Sequence, residues 1–89
     1  MADIDLSAPH HRTLAEARTM AEQIIADVAQ RYGLKHGWQG DQLEFSGKGV
    51  DGNATLDDEN VRIVVKLKLL MKALKGPIEA EIRKRLAAL

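Results

Sequence analysis

Apolar residues in the first third of the chain recur at spacings of three and four, which is the period of an amphipathic helix. The stripe consists of Leu14, Ala17, Ala21, Ile24, Val28 and Tyr32. Thr13 and Glu16 stand just before and within its first turn, at the spacing of a capping box. Gly33 follows the stripe and suits a left-handed C-cap. The pattern therefore predicts a helix over residues 13–32.

After this helix the apolar period changes to two, which is typical of strands buried on one face. The alternating sets are Leu34, His36 and Trp38; Leu43 and Phe45; Val50, Gly52, Ala54 and Leu56; and Val61, Ile63, Val65, Leu67 and Leu69. The connections are too short for crossovers, so these sets predict a four-stranded antiparallel meander. Near the N-terminus, Ile4 and Leu6 alternate with two aspartates and predict a short edge strand, followed by a turn over residues 7–12.

The last apolar set returns to helical spacing and consists of Ile78, Ile82, Leu86 and Leu89. Gly76 and Pro77 precede it and suit the N-cap and first positions of a helix. Three acid–base pairs at i,i+4 spacing support the two helices: Asp27–Arg31, Glu79–Arg83 and Glu81–Arg85. We therefore expect an α+β protein with one domain over residues 1–89 and the order β-α-β-β-β-β-α. It would have a single antiparallel sheet of four to five strands with two helices on one face.

Two helices on one face leave the other face of the sheet open. Val64 and part of the Trp38 or Phe45 surface are expected on this open face. Such a face can pair with a second copy of the chain or hold an apolar ligand. A homodimer is also favoured by size, because a chain of 89 residues buries a limited core.

Composition and charge exclude several classes of function. Thirteen basic residues balance thirteen acidic ones, so no overall field attracts nucleic acid. The chain has no cysteine, which removes disulfides and thiolate metal sites. No stretch reaches the ~20 apolar residues of a transmembrane segment, and the N-terminus lacks the pattern of a signal peptide. These features predict a soluble, cytoplasmic protein.

The stretch "SGKGVDGNATL", residues 46–56, has the composition of a ligand-binding loop. A phosphate-binding P-loop would need Ser or Thr after its lysine and then a helix, whereas Lys48 precedes Gly49 and a strand pattern. An EF-hand loop would need Gly at its sixth position and Glu at its twelfth, which here are Leu56 and Arg62. We therefore interpret the stretch as a hairpin turn, with Gly52 allowing a bulge or a close backbone approach.

The three histidines do not form a recognisable metal or catalytic motif. His10 and His11 are adjacent and His36 lies in a strand pattern, but no HExxH or H-x-x-H spacing is present. No G-x-S-x-G nucleophile motif occurs either. The sequence thus predicts no catalytic residue, no metal and no cofactor, and a protein that is not an enzyme. The roles of the three histidines stay open.

A basic and apolar segment follows the last predicted strand. All charges from Arg62 to Lys75 are positive, and "LKLLMKALKG" combines lysines with leucines. Such a segment can lie on an anionic or hydrophobic interface with its lysine stems extended along the surface. The alternative is the end of a central strand beneath the C-terminal helix. The candidate binding residues are Lys66, Lys68, Leu70, Met71, Lys72 and Leu74.

The blocks "DIDL", "PHH", "YGLKHGWQGDQLEFSGKGVDG", "KLKLLMKALKG" and "IEAEI" occur in this order. Together they resemble the small polyhydroxyalkanoic acid system protein family over essentially the whole chain, most specifically between Trp38 and Gly52. Lys68 stands where a glycine is common in that family. The resemblance implies a setting near polyhydroxyalkanoate storage granules in bacteria and brings no catalytic residues.

The resulting hypothesis is a non-enzymatic accessory protein of polyhydroxyalkanoate storage. It would bind a granule surface or a granule-associated protein through the open sheet face and the Leu67–Leu74 segment, and Trp38, Phe45 and Val64 are candidates for an apolar ligand or an interface. The partners would be a second copy and the granule, with no nucleic acid. The alternative hypothesis is a small carrier, similar to a helix-grip domain, that holds an acyl chain between the sheet and the C-terminal helix. An enzyme would need His36, an acid and a hydroxyl in one cleft.

Overall fold

The computed structural model describes residues 2–88 and contains one five-stranded antiparallel sheet and two α-helices. The order along the chain is β-α-β-β-β-β-α, which confirms the expected α+β class. The elements are β1 (Ile4–Pro9), α1 (Leu14–Tyr32), β2 (Lys35–Gln39), β3 (Gln42–Gly47), β4 (Val50–Leu56), β5 (Asn60–Leu67), a 3₁₀ segment (Leu69–Leu74) and α2 (Lys75–Ala87). The strand order across the sheet is β1-β5-β4-β3-β2, so β5 is internal and β1 and β2 are the edges.

Helix α1 begins and ends as its sequence indicates. The Thr13 hydroxyl accepts a hydrogen bond from the Glu16 N–H at 3.2 Å, and the Glu16 carboxylate accepts from the Thr13 N–H at 3.3 Å. Gly33 takes the left-handed conformation with φ +69°, which a residue with a Cβ rarely adopts. The expected pairing of Asp27 within α1 is wrong. Its carboxylate instead meets Arg85 of α2 at 2.6 Å, so it joins the two helices.

Both helices cover the same face of the sheet, and the core lies between them and that face. In β5 the alternate residues Val61, Ile63, Val65 and Leu67 are all buried, as the period of two predicts. Helix α1 packs on the β2–β4 side of the sheet, and α2 packs on β1. The opposite face carries exposed residues such as Arg62 and Lys66 of β5 and is open, as expected.

Two tight turns connect β2, β3 and β4. Gly40 and Gly49 have φ of +63° and +87°, and each lies in a two-residue connection. Gly52 is approached closely: a Cβ there would lie 2.5 Å from the Phe45 ring and in contact with the carbonyl oxygen of Val64. The hairpin interpretation of residues 46–56 is therefore confirmed, and Gly52 reflects a close approach.

Three element boundaries differ from the sequence prediction. Strand β1 continues to Pro9, because residues 7–9 pair with β5, and so the predicted turn starts later. Strand β5 ends at Leu67 and does not include Leu69. Helix α2 starts at Lys75, so Gly76 and Pro77 lie inside its first turn, where the N–H that proline lacks would have no intrahelical partner. The predicted stripe of α2 is buried at Ile78, Ile82 and Leu86, while Leu89 lies outside the described residues.

Candidate docking surface

The 3₁₀ segment begins where, among residues 2–88, β5 has no further strand residues to pair with. Its neighbours β4 and β1 reach only as far as Val50 and Ile4, which oppose Leu67 and Val65. The Lys68 N–H still donates to the Gly49 carbonyl of the hairpin turn at 2.8 Å, and the Met71 N–H then donates back to the Lys68 carbonyl at 2.8 Å. The chain therefore leaves the sheet at Lys68 and coils directly into α2.

This change of direction exposes two leucines. Leu69 is 81% exposed and Leu70 is 92% exposed, and they are the exposed large hydrophobic residues within residues 2–88. Met71 and Leu74 point the other way and pack against the core. Met71 lies beside Gly49, where a Cβ would come within 2.7 Å of its Cγ. We call the exposed pair Leu69 and Leu70 the dileucine tip.

Asp3 ties this segment to the start of β1. One carboxylate oxygen accepts from the Leu67 N–H at 2.8 Å, and the other accepts from Lys72 Nζ at 2.9 Å. The hydrogen bond from the Leu67 N–H, followed by the one from Lys72, holds the pKa of Asp3 below its ordinary value of 3.8. An ionised Asp3 thus anchors both the last residue of β5 and the middle of the 3₁₀ segment.

Exposed lysines surround the dileucine tip. Lys66 lies on the open face of β5, Lys68 lies between β5 and the 3₁₀ segment, and Lys72 and Lys75 lie within and after that segment. Among the described residues, Lys72 is the one of these four whose ammonium lies within 4 Å of a carboxylate. We call the dileucine tip together with these four lysines the docking surface.

The structure brings most of the sequence-predicted binding residues together. Lys66, Lys68, Leu70, Met71, Lys72 and Leu74 all lie at the same end of β5. The three candidates for an apolar face are separated. Val64 is half-buried on the open face, but Phe45 is 3% exposed in the core, and Trp38 lies on the helix side next to α1. The expectation that part of the Trp38 surface lies on the open face is wrong, because Trp38 shares the face of its register partner Leu43. The Phe45 side chain shares that buried face, although Phe45 borders the groove over the open face together with Val64.

The open face is polar. Arg62 of β5 forms two hydrogen bonds with the Asp5 carboxylate of β1, at 2.9 and 2.6 Å. This pairing lowers the pKa of Asp5 and raises that of Arg62. Lys66 and Asp51 oppose each other in the register of β4 and β5. A shallow groove of about 320 Å³ lies over this face, lined mainly by polar side chains. Such a face can stay in water without a covering layer.

Trp38 belongs to a separate cluster against α1. The Arg18 guanidinium lies 3.9 Å from the centre of the indole ring, a cation–π arrangement. The indole N–H donates to the Glu22 carboxylate at 2.8 Å, and Arg18 also donates to the Gly40 carbonyl at 2.8 Å. This cluster fastens the β2–β3 turn to the helix.

The three histidines have different surroundings. His10 is 1% exposed: its Nε2–H donates to the Asp57 carbonyl at 2.9 Å, and its Nδ1 accepts from the Arg12 N–H at 3.0 Å. It therefore holds the loop before α1 against the β4–β5 turn. His11 and His36 are exposed and lie on different parts of the surface. Among residues 2–88, no group of three or more histidine, cysteine, aspartate or glutamate side chains is placed to hold a metal ion.

Sequence reasoning missed three residues of this region. By its pattern Asp3 belongs to the polar side of an edge strand, and Gly49 is a turn residue. The alternation of apolar residues places Leu69 on a buried strand face. Asp3 and Gly49 lie 64 and 18 residues from Leu67 in the sequence. Only the pairing of the strands brings them close to the end of β5. For Leu69, the lysines at 66 and 68 continued the strand alternation and concealed the end of the strand.

Comparisons with known proteins give one match. A family model described as "Putative polyhydroxyalkanoic acid system protein" matches residues 4–89. No curated protein and no solved structure matches the chain. Within the described part of the chain, no helix has the length and apolar character needed to cross a membrane.

Proposed function

Because the chain belongs to the polyhydroxyalkanoic acid system protein family, we propose that it is a non-enzymatic accessory protein of polyhydroxyalkanoate storage. It docks on the surface of the granule in the cytoplasm through the docking surface. The observation that carries this proposal is the exposure of Leu69 and Leu70, at 81% and 92%, on a segment whose Met71 and Leu74 pack against the core.

The small size of the dileucine tip favours attachment to an extended apolar layer over binding to a protein partner. A stable complex of two proteins buries about 800 Å² on each partner, whereas the tip offers two leucine side chains. Complete removal of a leucine from water is worth about 1.5–3 kcal/mol, so the tip supplies about 3–6 kcal/mol at most. That is enough for reversible insertion into an apolar layer.

The neighbouring open face adds polar contacts to this attachment. Val64 and Lys66 continue β5 away from the tip, on the face that the helices leave uncovered. We propose that this end of the open face lies along the boundary of the granule, with Lys66 directed to its polar side.

Co-sedimentation of the purified protein with polyhydroxyalkanoate granules tests the proposal. Leu70→Asp should reduce binding at least tenfold, because it removes an inserted side chain and adds a charge. Met71→Asp should also reduce binding, but Met71 packs against Gly49, so its folding must be checked. Gln23→Asp, at an exposed position of α1, is the matched control and should bind normally.

Equal binding by Leu70→Asp and the wild type would remove the docking surface from the proposal. Absence of granule binding by the wild type would remove the granule role. Binding to protein-bearing granules that is lost on granules stripped of their proteins would favour a protein-mediated attachment.

The alternative carrier hypothesis requires space between the sheet and α2. Ile78 and Ile82 of α2 are buried in the core at that place, at 1% and 0% exposure. A carrier would therefore have to open this packing to admit an acyl chain. Native mass spectrometry after incubation with a long-chain fatty acid measures this, and a bound acyl chain at one equivalent would support the carrier.

We also propose that the chain forms a homodimer through the free edge of β2. Pairing of two open faces would bury the ionised Asp5, Arg62 and Lys66, which is costly. The free edge of β2 instead offers backbone N–H and C=O groups for pairing with a second copy. Gln39 flanks a two-residue turn and Gly37 lies two residues away, so the N–H and C=O groups of both point toward β3.

The backbone groups of His36 and Trp38 therefore point away from β3, at an edge of the sheet. A second copy in antiparallel orientation places its Trp38 opposite His36, around a two-fold axis at Gly37. Each of the two pairs exchanges two hydrogen bonds, which makes four in all.

His36→Pro removes one of these outward N–H groups and leaves the pairing of β2 with β3 intact. Light scattering coupled to size-exclusion chromatography should show a dimer for the wild type and a monomer for His36→Pro, with unchanged circular dichroism. A wild-type monomer at high concentration, or a dimer of the variant, would contradict the β2 interface.

A further inference from the structure

The lysines around the dileucine tip are concentrated at one end of a protein whose formal net charge is zero. Lys66, Lys68, Lys72 and Lys75 are exposed there. Within the described residues, Asp3 is the acid whose carboxylate lies within 4 Å of one of these ammonium groups, that of Lys72. On the open face, Asp51 opposes Lys66 in the register of β4 and β5. The molecule therefore has a local positive surface without an overall positive charge.

Two inserted leucines alone form a marginal anchor. A single myristoyl chain, which is larger than both leucine side chains together, gives only weak and reversible membrane binding. Stable attachment of that kind requires a second signal, such as a cluster of basic residues beside the apolar group. The docking surface combines these two signals within ten residues, from Lys66 to Lys75.

The positions of the lysines match the geometry of such a boundary. They flank the tip on both sides in the chain, and their stems are long enough to place the ammonium groups at the level of headgroups while the leucines insert. Asp3 keeps the segment in place through the Leu67 N–H and Lys72. The arrangement is therefore held by the fold and does not depend on binding to form.

We propose that the docking surface selects an anionic lipid layer, with the leucines in its apolar part and the lysine ammonium groups at its negatively charged headgroups. This inference rests on the proposed function and adds the chemistry of the surface that is bound. A bare apolar surface or a neutral headgroup layer would use only the leucines and would leave the lysines without a role.

Vesicles of phosphatidylcholine with and without phosphatidylglycerol test the proposal by co-sedimentation. The wild type should bind the anionic vesicles and bind the neutral ones at least tenfold more weakly. Lys68→Gln and Lys75→Gln should each weaken binding to the anionic vesicles by about fivefold. Added salt should also weaken this binding. Leu70→Asp should abolish binding to both kinds of vesicle.

Lys84→Gln is the matched control for charge. Lys84 is exposed on α2, nine residues beyond Lys75 and about 13 Å along the helix axis, so its removal should change binding little. Circular dichroism and thermal unfolding of each variant verify that it is folded.

Equal binding to neutral and anionic vesicles would overturn the inference, as would equal effects of Lys68→Gln and Lys84→Gln. Granule binding that depends on Leu70 but not on the lysines or salt would overturn it while leaving the proposed function standing. Lysine-dependent binding to anionic vesicles without any binding to granules would support the inference and remove the granule role.

Discussion

Gly52 offers a direct test of the packing that separates the two faces of the sheet. A Cβ at this position would lie 2.5 Å from Phe45 Cζ and 2.7 Å from Phe45 Cε2, and it would meet the backbone carbonyl oxygen of Val64. Contacts this short are essentially never made by a real Cβ, so Gly52→Ala must displace its surroundings.

The size of the effect follows from what has to move. The Phe45 ring is 3% exposed and is enclosed by the core, while the Val64 carbonyl belongs to an internal strand. Overpacking of a well-filled site usually costs about 1–3 kcal/mol and occasionally more. Because a backbone atom is involved here, we expect the free energy of unfolding to fall by about 3 kcal/mol. For a domain of this length, that lowers Tm by about 12–24 °C.

Gly37→Ala is the matched control, since Gly37 is also a strand glycine but no heavy atom lies within 4 Å of its added Cβ. Its φ is outside the left-handed region. We expect it to be neutral or to stabilise by up to about 1 kcal/mol, because alanine restricts the unfolded chain. Urea unfolding followed by circular dichroism measures both variants. Equal midpoints for Gly52→Ala and the wild type would refute the close approach of Phe45 and Val64.

Three further predictions concern polar contacts. The pKa of Asp3 is lowered in the folded protein, so the stabilisation that Asp3 provides is complete above its ordinary pKa of 3.8 and is lost as the pH falls through the lowered pKa. Asp3→Asn should therefore remove part of the dependence of the urea midpoint on acid pH. An unchanged dependence would exclude Asp3 as an anchor. His10→Ala should lower the free energy of unfolding by about 2–4 kcal/mol, because it leaves a cavity and removes the partner of two part-buried backbone groups, the Asp57 carbonyl and the Arg12 N–H. His11→Gly, at φ +52°, should be neutral or slightly stabilising. Arg18→Ala should change the fluorescence of Trp38, the single tryptophan, and cost about 0.5–1 kcal/mol; an unchanged emission spectrum would contradict the cation–π contact.

Local pattern was sufficient for most of the fold. The capping box of Thr13 and Glu16, the left-handed Gly33 and the helical stripe between them define α1 without any tertiary information, because each is satisfied by residues within one or two turns. The hairpins at Gly40 and Gly49 are equally local. Strand alternation then assigns the buried faces, since a shift of one residue would turn a whole strand over.

The candidate site was only partly predictable. The run of lysines and leucines after Arg62 indicated an interface segment, and the structure exposes Leu70 there. The sequence does not show where the strand ends and the 3₁₀ segment begins, because the alternation of Lys66 and Lys68 with apolar residues continues past that point. An isolated strand pattern carries no information about the length of its neighbours.

Tertiary structure decided where β5 stops and therefore which leucines are exposed. Beyond Leu67, neither β4 nor β1 provides a strand partner within residues 2–88, so the backbone turns into the 3₁₀ segment and forms hydrogen bonds there. Asp3, 64 residues away from Leu67, then fixes that turn. The sequence by itself determined the helices, the hairpins and the buried faces, because these depend on near neighbours. The dileucine tip depends on the ends of two distant strands, which only the folded sheet brings together.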